Sequence, residues 1–262
     1  MPTTVVAVAN QKGGVGKTTT SVSLAAAWAR LGKDVLLIDL DPQGNTTSGL
    51  GLERASGGSL YGPLTGEGDL ASRVVATGRD HLSLVPSERD LVAAEVELPG
   101  DDEYLLRLRH LLATYRESED APDAVVIDCP PSSTVLSLNA LSAADYLLIT
   151  LQCEYLAMEG LGEILRLRED LRSGGTHPGL ELAGIVLTMF DSRTRLASQV
   201  VEEVREHLGA SVFGTLIPRN VRLTEAPSFG QTIFEYDRSS NGARAYARLA
   251  EEVGSRIGLR LG

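Results

Sequence analysis

Cysteine is scarce in the 262 residues: Cys129 and Cys153 stand alone, with no CxxC pair. That excludes a disulfide scaffold, a zinc knuckle and a cysteine-bound iron–sulfur cluster built within one chain. A nucleophilic Cys129 would need a histidine base, and none of His81, His110, His177 or His207 sits in a motif. Long apolar runs are missing too, none approaching the roughly 20 residues of a membrane span. No basic n-region with a cleavage site opens the sequence, so no signal peptide is expected and the chain reads as cytoplasmic. Basic charge is in deficit. With 24 Lys and Arg against 35 Asp and Glu the formal charge is −11. Diffuse attraction to nucleic acid is therefore not expected, and any such contact needs a local patch of Arg or Lys. No Pro/Ser linker, internal repeat or low-complexity tract divides the chain, so residues 1–262 are expected to form one domain.

What is present begins with Gln11-Lys12-Gly13-Gly14-Val15-Gly16-Lys17-Thr18-Thr19. Val5 to Ala9, just before it, reads as a buried strand. After it Val22, Leu24, Ala25, Trp28, Ala29 and Leu31 recur at helical spacing. A glycine loop between a strand and a helix is the context of a phosphate-binding loop, in which freed backbone N–H groups and the helix's positive end meet phosphate oxygens. In that arrangement Gly13, Gly14, Val15, Gly16 and Thr19 frame the phosphates and Lys17 reaches the outer ones. The Thr18 hydroxyl then ligates magnesium. Two features depart from the general G-x-x-x-x-G-K-[ST] pattern: Gln11 replaces glycine, and Lys12 adds a second lysine. Lys12 lies at the strand end of the loop, away from the place of Lys17. It either reaches a nucleotide held by another copy of the protein or is a surface lysine beside a glycine turn.

Further strands end in acids. Val35 to Ile38 leads into Asp39-Leu40-Asp41-Pro42-Gln43-Gly44-Asn45. Both carboxylates project past the carboxyl edge of the sheet, where open α/β sheets hold ligands. Asp41 opens a Pro/Gly loop and is free to orient water or touch the metal's water shell; Asp39 is either a second such group or a capping turn aspartate. Ala124 to Asp128 is an apolar strand tipped by an acid, the Walker B arrangement, whose carboxylate holds magnesium through water. Cys129 beside it reads as a small packing residue.

The remaining chain alternates strands (Leu82 to Val85, Tyr146 to Thr150, Leu182 to Met189, Val212 to Ile217) with helices. The helices are expected over Asp90 to Leu98, Glu103 to Tyr115, Val135 to Ala144, Glu154 to Leu171, Leu196 to Leu208 and Ser240 to Ile257. Residues 51–82 show little periodicity and read as a looped insertion with short helices. The pattern predicts a doubly wound α/β domain with a mostly parallel sheet.

With these motifs placed, the chain closely resembles the ParA family of partition ATPases, in particular the small chromosomal type called Soj. Gln11 to Thr20, Asp39 to Asn45, Ile127 to Pro131 and Ile217-Pro218-Arg219-Asn220-Val221-Arg222 carry the resemblance. Gln152 to Tyr155 and Leu156 to Leu161 stand between them, and the likeness runs from about residue 4 to residue 257. It implies a Mg-dependent ATPase that binds ATP and ADP, with Lys12 reaching the partner's phosphates in an ATP-sandwich homodimer. It matches Lys17 and Thr18 to the loop lysine and magnesium ligand, Asp41 to the residue needed for hydrolysis and Asp128 to the Walker B acid. Pro218 and Asn220 match positions near the adenine ring. It further implies that only the ATP-bound dimer binds nucleoid DNA, without regard to sequence, through arginines matching Arg193 and Arg222. A ParB-like centromere-binding partner stimulates the slow hydrolysis.

Arg193, Arg195, Arg219 and Arg222 are the densest basic residues of the second half, and doubling them in a dimer would give a salt-dependent phosphate-binding face. The competing reading is that Arg219 and Arg222 merely pair with Glu225 or nearby carboxylates. Two other classes stay in view. MinD-like membrane ATPases share the two-lysine loop but carry a basic amphipathic tail helix. Here residues 251–262 are interrupted by Gly254 and Gly258 and would anchor poorly, so no membrane partner is expected. A metabolic P-loop ligase, such as a dethiobiotin-synthetase-like enzyme, would need a small-molecule pocket that the sequence does not reveal. With four residues ahead of the first strand, no operator-binding helix-turn-helix domain is expected.

Overall fold

The computed structural model describes residues 2–54, 56–154 and 157–261, with the side chains of residues 157–159 left aside. Eight strands form one sheet in the order β3-β4-β2-β5-β1-β6-β7-β8. They are β1 Thr4–Ala9, β2 Val35–Asp39, β3 Val75–Arg79, β4 Leu82–Val85, β5 Ala124–Asp128, β6 Tyr146–Gln152, β7 Glu181–Phe190 and β8 Val212–Pro218. Every neighbouring pair is parallel except the edge hairpin β3–β4. β1, β2 and β5 are apolar almost throughout because both sheet faces are covered, as parallel strands require.

Helices fill the two faces. One face carries α1 (Lys17–Arg30), α10 (Ile233–Tyr236) and α11 (Asn241–Arg256), packed on Val6, Val8, Leu37 and Leu148. The other carries α3 (Tyr61–Thr65), α4 (Leu91–Glu97), α5 (Arg107–Arg116), α6 (Val135–Ala143), α7 (Ala157–Ser173) and α8 (Arg195–Leu208), packed on Val5, Ala7, Ile38 and Ile127. Successive β1 side chains thus serve opposite cores, as the two-residue strand period demands. Short α2 (Asn45–Gly49) and α9 (Val221–Glu225) lie at the carboxyl edge.

The mostly parallel doubly wound sheet agrees with the sequence reading; some boundaries do not. The segment read as a looped insertion contains β3, an antiparallel edge strand. Helix α5 starts at Arg107, since Asp101 holds the preceding residues in a turn by accepting the Glu103 N–H. Leu31, counted on the apolar face of α1, is its exposed C-cap. The described part of α7 starts at Ala157, while Tyr155 and Leu156 of the expected helix lie outside the described residues. Among the described residues no helix is long and apolar enough to cross a membrane.

Candidate nucleotide site

β1 ends in a buried anchor, Asn10. Its Nδ2 donates to the Thr150 carbonyl of β6 (2.6 Å) and its Oδ1 accepts the Lys12 N–H (3.0 Å). The chain then turns twice through the left-handed region, at Gly14 (φ 75°) and at Gly16 (φ 89°), the N-cap of α1. Only glycine takes these angles without strain. No side chain caps α1, so its first N–H groups face the loop's concavity, the arrangement that binds anions.

Lys17, on the first turn of α1, is buried, and its Nζ donates to the Lys12 carbonyl (2.9 Å). Burial lowers its pKa, and the charge of Asp128 works in the opposite direction. The Lys12 side chain is exposed, unlike that of Lys17. Gln11 is tied sideways to the loop after β5: its carbonyl accepts the Ser132 N–H and its Nε2 donates to Ser133 Oγ (2.8 Å).

Asp128 ends β5 and has no exposed surface, yet three hydroxyls surround it. Thr18 (2.8 Å) and Thr46 (2.7 Å) donate to Oδ2, and Ser21 (3.0 Å) donates to Oδ1. Burial raises its pKa, while those hydroxyls pull it down. Asp39 is also buried, and burial, with Asp128 nearby, raises its pKa as well. Its Oδ2 accepts both the Thr47 N–H (2.8 Å) and the Thr47 hydroxyl (2.6 Å). Asp39 is therefore the capping aspartate, fastening α2 to the end of β2. Asp41 lines the cavity instead, and its Oδ1 accepts the Gln43 N–H (2.9 Å).

Among the described residues no three His, Cys, Asp or Glu side chains form a metal cluster. A hydroxyl at 2.8 Å from a buried carboxylate, with Asp41 near, is an all-oxygen donor set that suits magnesium, which keeps several of its waters. Burial pushes the Cys129 and Cys153 thiols up, which fits packing and not nucleophilic chemistry.

A cavity of about 630 Å³ opens over Lys17, Thr18 and Asp41, with Asp128 beneath Thr18 and not on the cavity surface. Gly13, Gly14, Gly16, Lys17, Thr18 and Thr19 form its floor, with Asp41, Gln43 and Pro131 alongside. Sequence reasoning missed much of the remaining wall: Asn45, Ser48 and Gly49 of α2, Met189 of β7, and Leu223, Thr224, Pro227 and Ser228. Pro218 ends β8 opposite Phe190, and Asn220 caps α9 by accepting the Arg222 N–H (2.8 Å). From that stretch it is Leu223 and Thr224 that line the cavity.

The four arginines gather beyond the carboxyl ends of β7 and β8, all exposed. Arg193 pairs with Asp191 (2.7 Å), Arg219 approaches Glu154 (3.8 Å), and Arg222 pairs with Glu225 (2.8 Å) and Asp237 (3.6 Å). Arg195 opens α8. The nearby carboxylates of the competing reading are thus present.

A parallel sheet with a glycine loop between β1 and α1, and with acids at the tips of β2 and β5, defines a P-loop nucleoside triphosphatase. Residues 3–180 match a family described as an AAA domain. A chromosome-partitioning ATPase Soj of Thermus thermophilus is 50% identical over 96% of each chain. A chromosome partitioning protein ParA of Caulobacter vibrioides is 46% identical over 97% of this chain and 95% of its own. The chain belongs to the ParA/Soj family of chromosome-partitioning ATPases. Among solved structures, one described as a Mycobacterium smegmatis cobyrinic acid a,c-diamide synthase with bound ADP and magnesium is 38% identical. It superposes with a TM-score of 0.81, covering 95% of this chain and 93% of that one. An ATP complex of a Cyanothece McdA variant shares the fold, at 24% identity and a TM-score of 0.87 over 98% of this chain and 97% of that one.

Proposed function

We propose that the cavity above Lys17 binds ATP and that hydrolysis to ADP and phosphate switches the chain between two assembly states. The observation that carries this reading is that Lys17, Thr18 and Asp41 line one cavity floored by the glycine loop, with buried Asp128 accepting the Thr18 hydroxyl beneath it. Backbone N–H groups of residues 13–19 hold the phosphates, and Lys17 swings from the Lys12 carbonyl to the outer ones. Thr18 and, through water, Asp128 would hold magnesium, which neutralises phosphate charge. Asp41, in its loop beside the cavity, orients the attacking water. Lys12, exposed and not among the residues that line the cavity, reaches the phosphates bound by a second copy, closing a homodimer.

In that dimer the arginines Arg193, Arg195, Arg219 and Arg222 are doubled into one face that binds double-stranded DNA without sequence preference, and hydrolysis, stimulated by a ParB-like partner, releases it. Each arginine–phosphate contact is weak and salt-dependent. Membership of the family and the chromosome-partitioning role for which its members are named support this reading. The test is ATPase rate with and without DNA and a ParB N-terminal peptide, together with gel retardation under ATP and ADP. Binding only with ATP, lost in Arg222→Glu, is expected. Equal retardation with both nucleotides, or an unaffected charge reversal, would refute it. The diamide synthase likeness favours a second reading, an ATP-dependent ligase acting on a small molecule, which predicts no DNA retardation under any nucleotide.

A further inference from the structure

Arg79 lies outside the cavity, yet it fastens the parts of the chain that wall it. Gly78 takes φ 75° and the β3–β4 pairing slips between Ala76 and Arg79, a bulge that re-aims the strand's last side chain. The guanidinium is thereby turned onto three other segments and is only 17% exposed. Its Nε meets both Glu235 oxygens (3.0 and 2.9 Å), Nη2 donates to the Gly230 carbonyl (2.7 Å), and Nη1 donates to the carbonyls of Leu50 and Thr77 (3.2 Å each).

Leu50 is the C-cap of α2, the helix that brings Ser48 and Gly49 to the cavity. Gly230 ends the short 3-10 helix Ala226–Phe229, which brings Pro227 and Ser228 to it. These two walls are about 180 residues apart in sequence and meet with almost no side chain between them. A Cβ on Gly230 would lie 2.8 Å from the Gly51 Cα, and one on Gly49 would lie 3.4 Å from Pro227. With a glycine backbone against a glycine backbone and one proline ring beside them, few side chains interlock there, and a cross-tie fixes the spacing. Arg79 supplies it with one planar group whose donors are fixed relative to one another.

We infer that Arg79 is a positioning residue for nucleotide affinity, holding α2 and the 226–230 segment at the spacing that fits the bound nucleotide. The inference rests on the proposed reading that this cavity binds ATP. Arg79 hydrogen-bonds none of Lys17, Thr18, Asp41 or Asp128, so its loss is expected to act chiefly on binding, with any effect on Asp128 passing through Thr46 of α2.

The experiment is titration calorimetry of Arg79→Ala, Arg79→Lys and Glu235→Gln with Mg-ATP and Mg-ADP, alongside steady-state ATPase and thermal melting. Expected for Arg79→Ala is a loss of affinity for both nucleotides of about tenfold, with KM raised and kcat nearly unchanged. Arg79→Lys keeps the charge facing Glu235 but lacks the fork, so it is expected to recover melting temperature without recovering affinity. Glu235→Gln preserves the capping box with Thr232 and is expected to weaken binding less than Arg79→Ala. Affinity within about threefold of wild type in folded Arg79→Ala, full recovery of affinity by lysine, or a fall in kcat with KM unchanged overturns the inference. Wild-type protein that binds neither nucleotide refutes the proposed function instead.

Discussion

Lys17 places its ammonium on a single backbone carbonyl in a site that solvent scarcely reaches. Burial disfavours its charged form, so the residue costs stability in the protein alone, as the proposed role towards phosphate would have it. Lys17→Ala is accordingly expected to melt no lower than wild type while losing detectable ATP binding; melting curves and calorimetry check both halves. His81 shows a pH effect of defined sign. Its ring lies 2.7 Å from Asp34, and that hydrogen bond raises its pKa. A raised histidine contributes stability below its unfolded pKa of about 6.5, and the contribution is lost as pH rises through the folded value. An NMR titration of His81 should give a midpoint above the free value that falls back in Asp34→Asn.

At this scale the sequence was informative where a motif fixes position along strand and loop: Lys17 lines the cavity, and Asp128 at the tip of β5 lies within hydrogen-bond reach of Thr18. Asp39 stayed open between ligand and cap, because spacing alone does not reveal that the Thr47 N–H and hydroxyl both turn to it. Thr46, Ser21 and Asn10 gave no signal at all: hydroxyls and amides are common, and only the fold brings them to Asp128 and Lys12.

The elements easiest to read were the fully buried strands, since β1, β2 and β5 are unbroken apolar runs. β3 was not legible. Its Val75-Ala76-Thr77-Gly78-Arg79 has mostly exposed positions and a glycine, so neither periodicity nor burial marks it, and β4 is its one strand partner among the described residues. The cavity wall at Leu223 and Pro227 was hidden for the same reason: two short helices at a sheet edge have too few residues to show a period. An element-scale prediction concerns Gly184 in β7. It takes φ 150°, and a Cβ there would come within 2.6 Å of the Phe213 ring and closer to Arg256. Gly184→Ala should therefore destabilise by about 1–3 kcal/mol, measurable by urea unfolding, because ring and strand must shift.

On the scale of the whole molecule, one sheet separates two cores that share every central strand. Neither half of the sheet has a core of its own, and calorimetry is expected to show one cooperative unfolding transition. Two resolved transitions would indicate separate domains. The packing of α1 against α11 has a consequence for how the chain is made. Trp28 is fully buried and donates to the Ala250 carbonyl (3.0 Å), and Thr20, one turn beyond the glycine loop, bonds the Tyr246 hydroxyl (3.0 Å). These partners are synthesised more than two hundred residues apart. A nascent chain leaving the ribosome holds a complete glycine loop and an α1 whose α11-facing side stays uncovered until residues 241–256 emerge, so the Trp28 indole N–H lacks its partner for most of translation. The helix that closes over Trp28 is therefore among the last parts made, and α1 gains its full cover only at the end of synthesis.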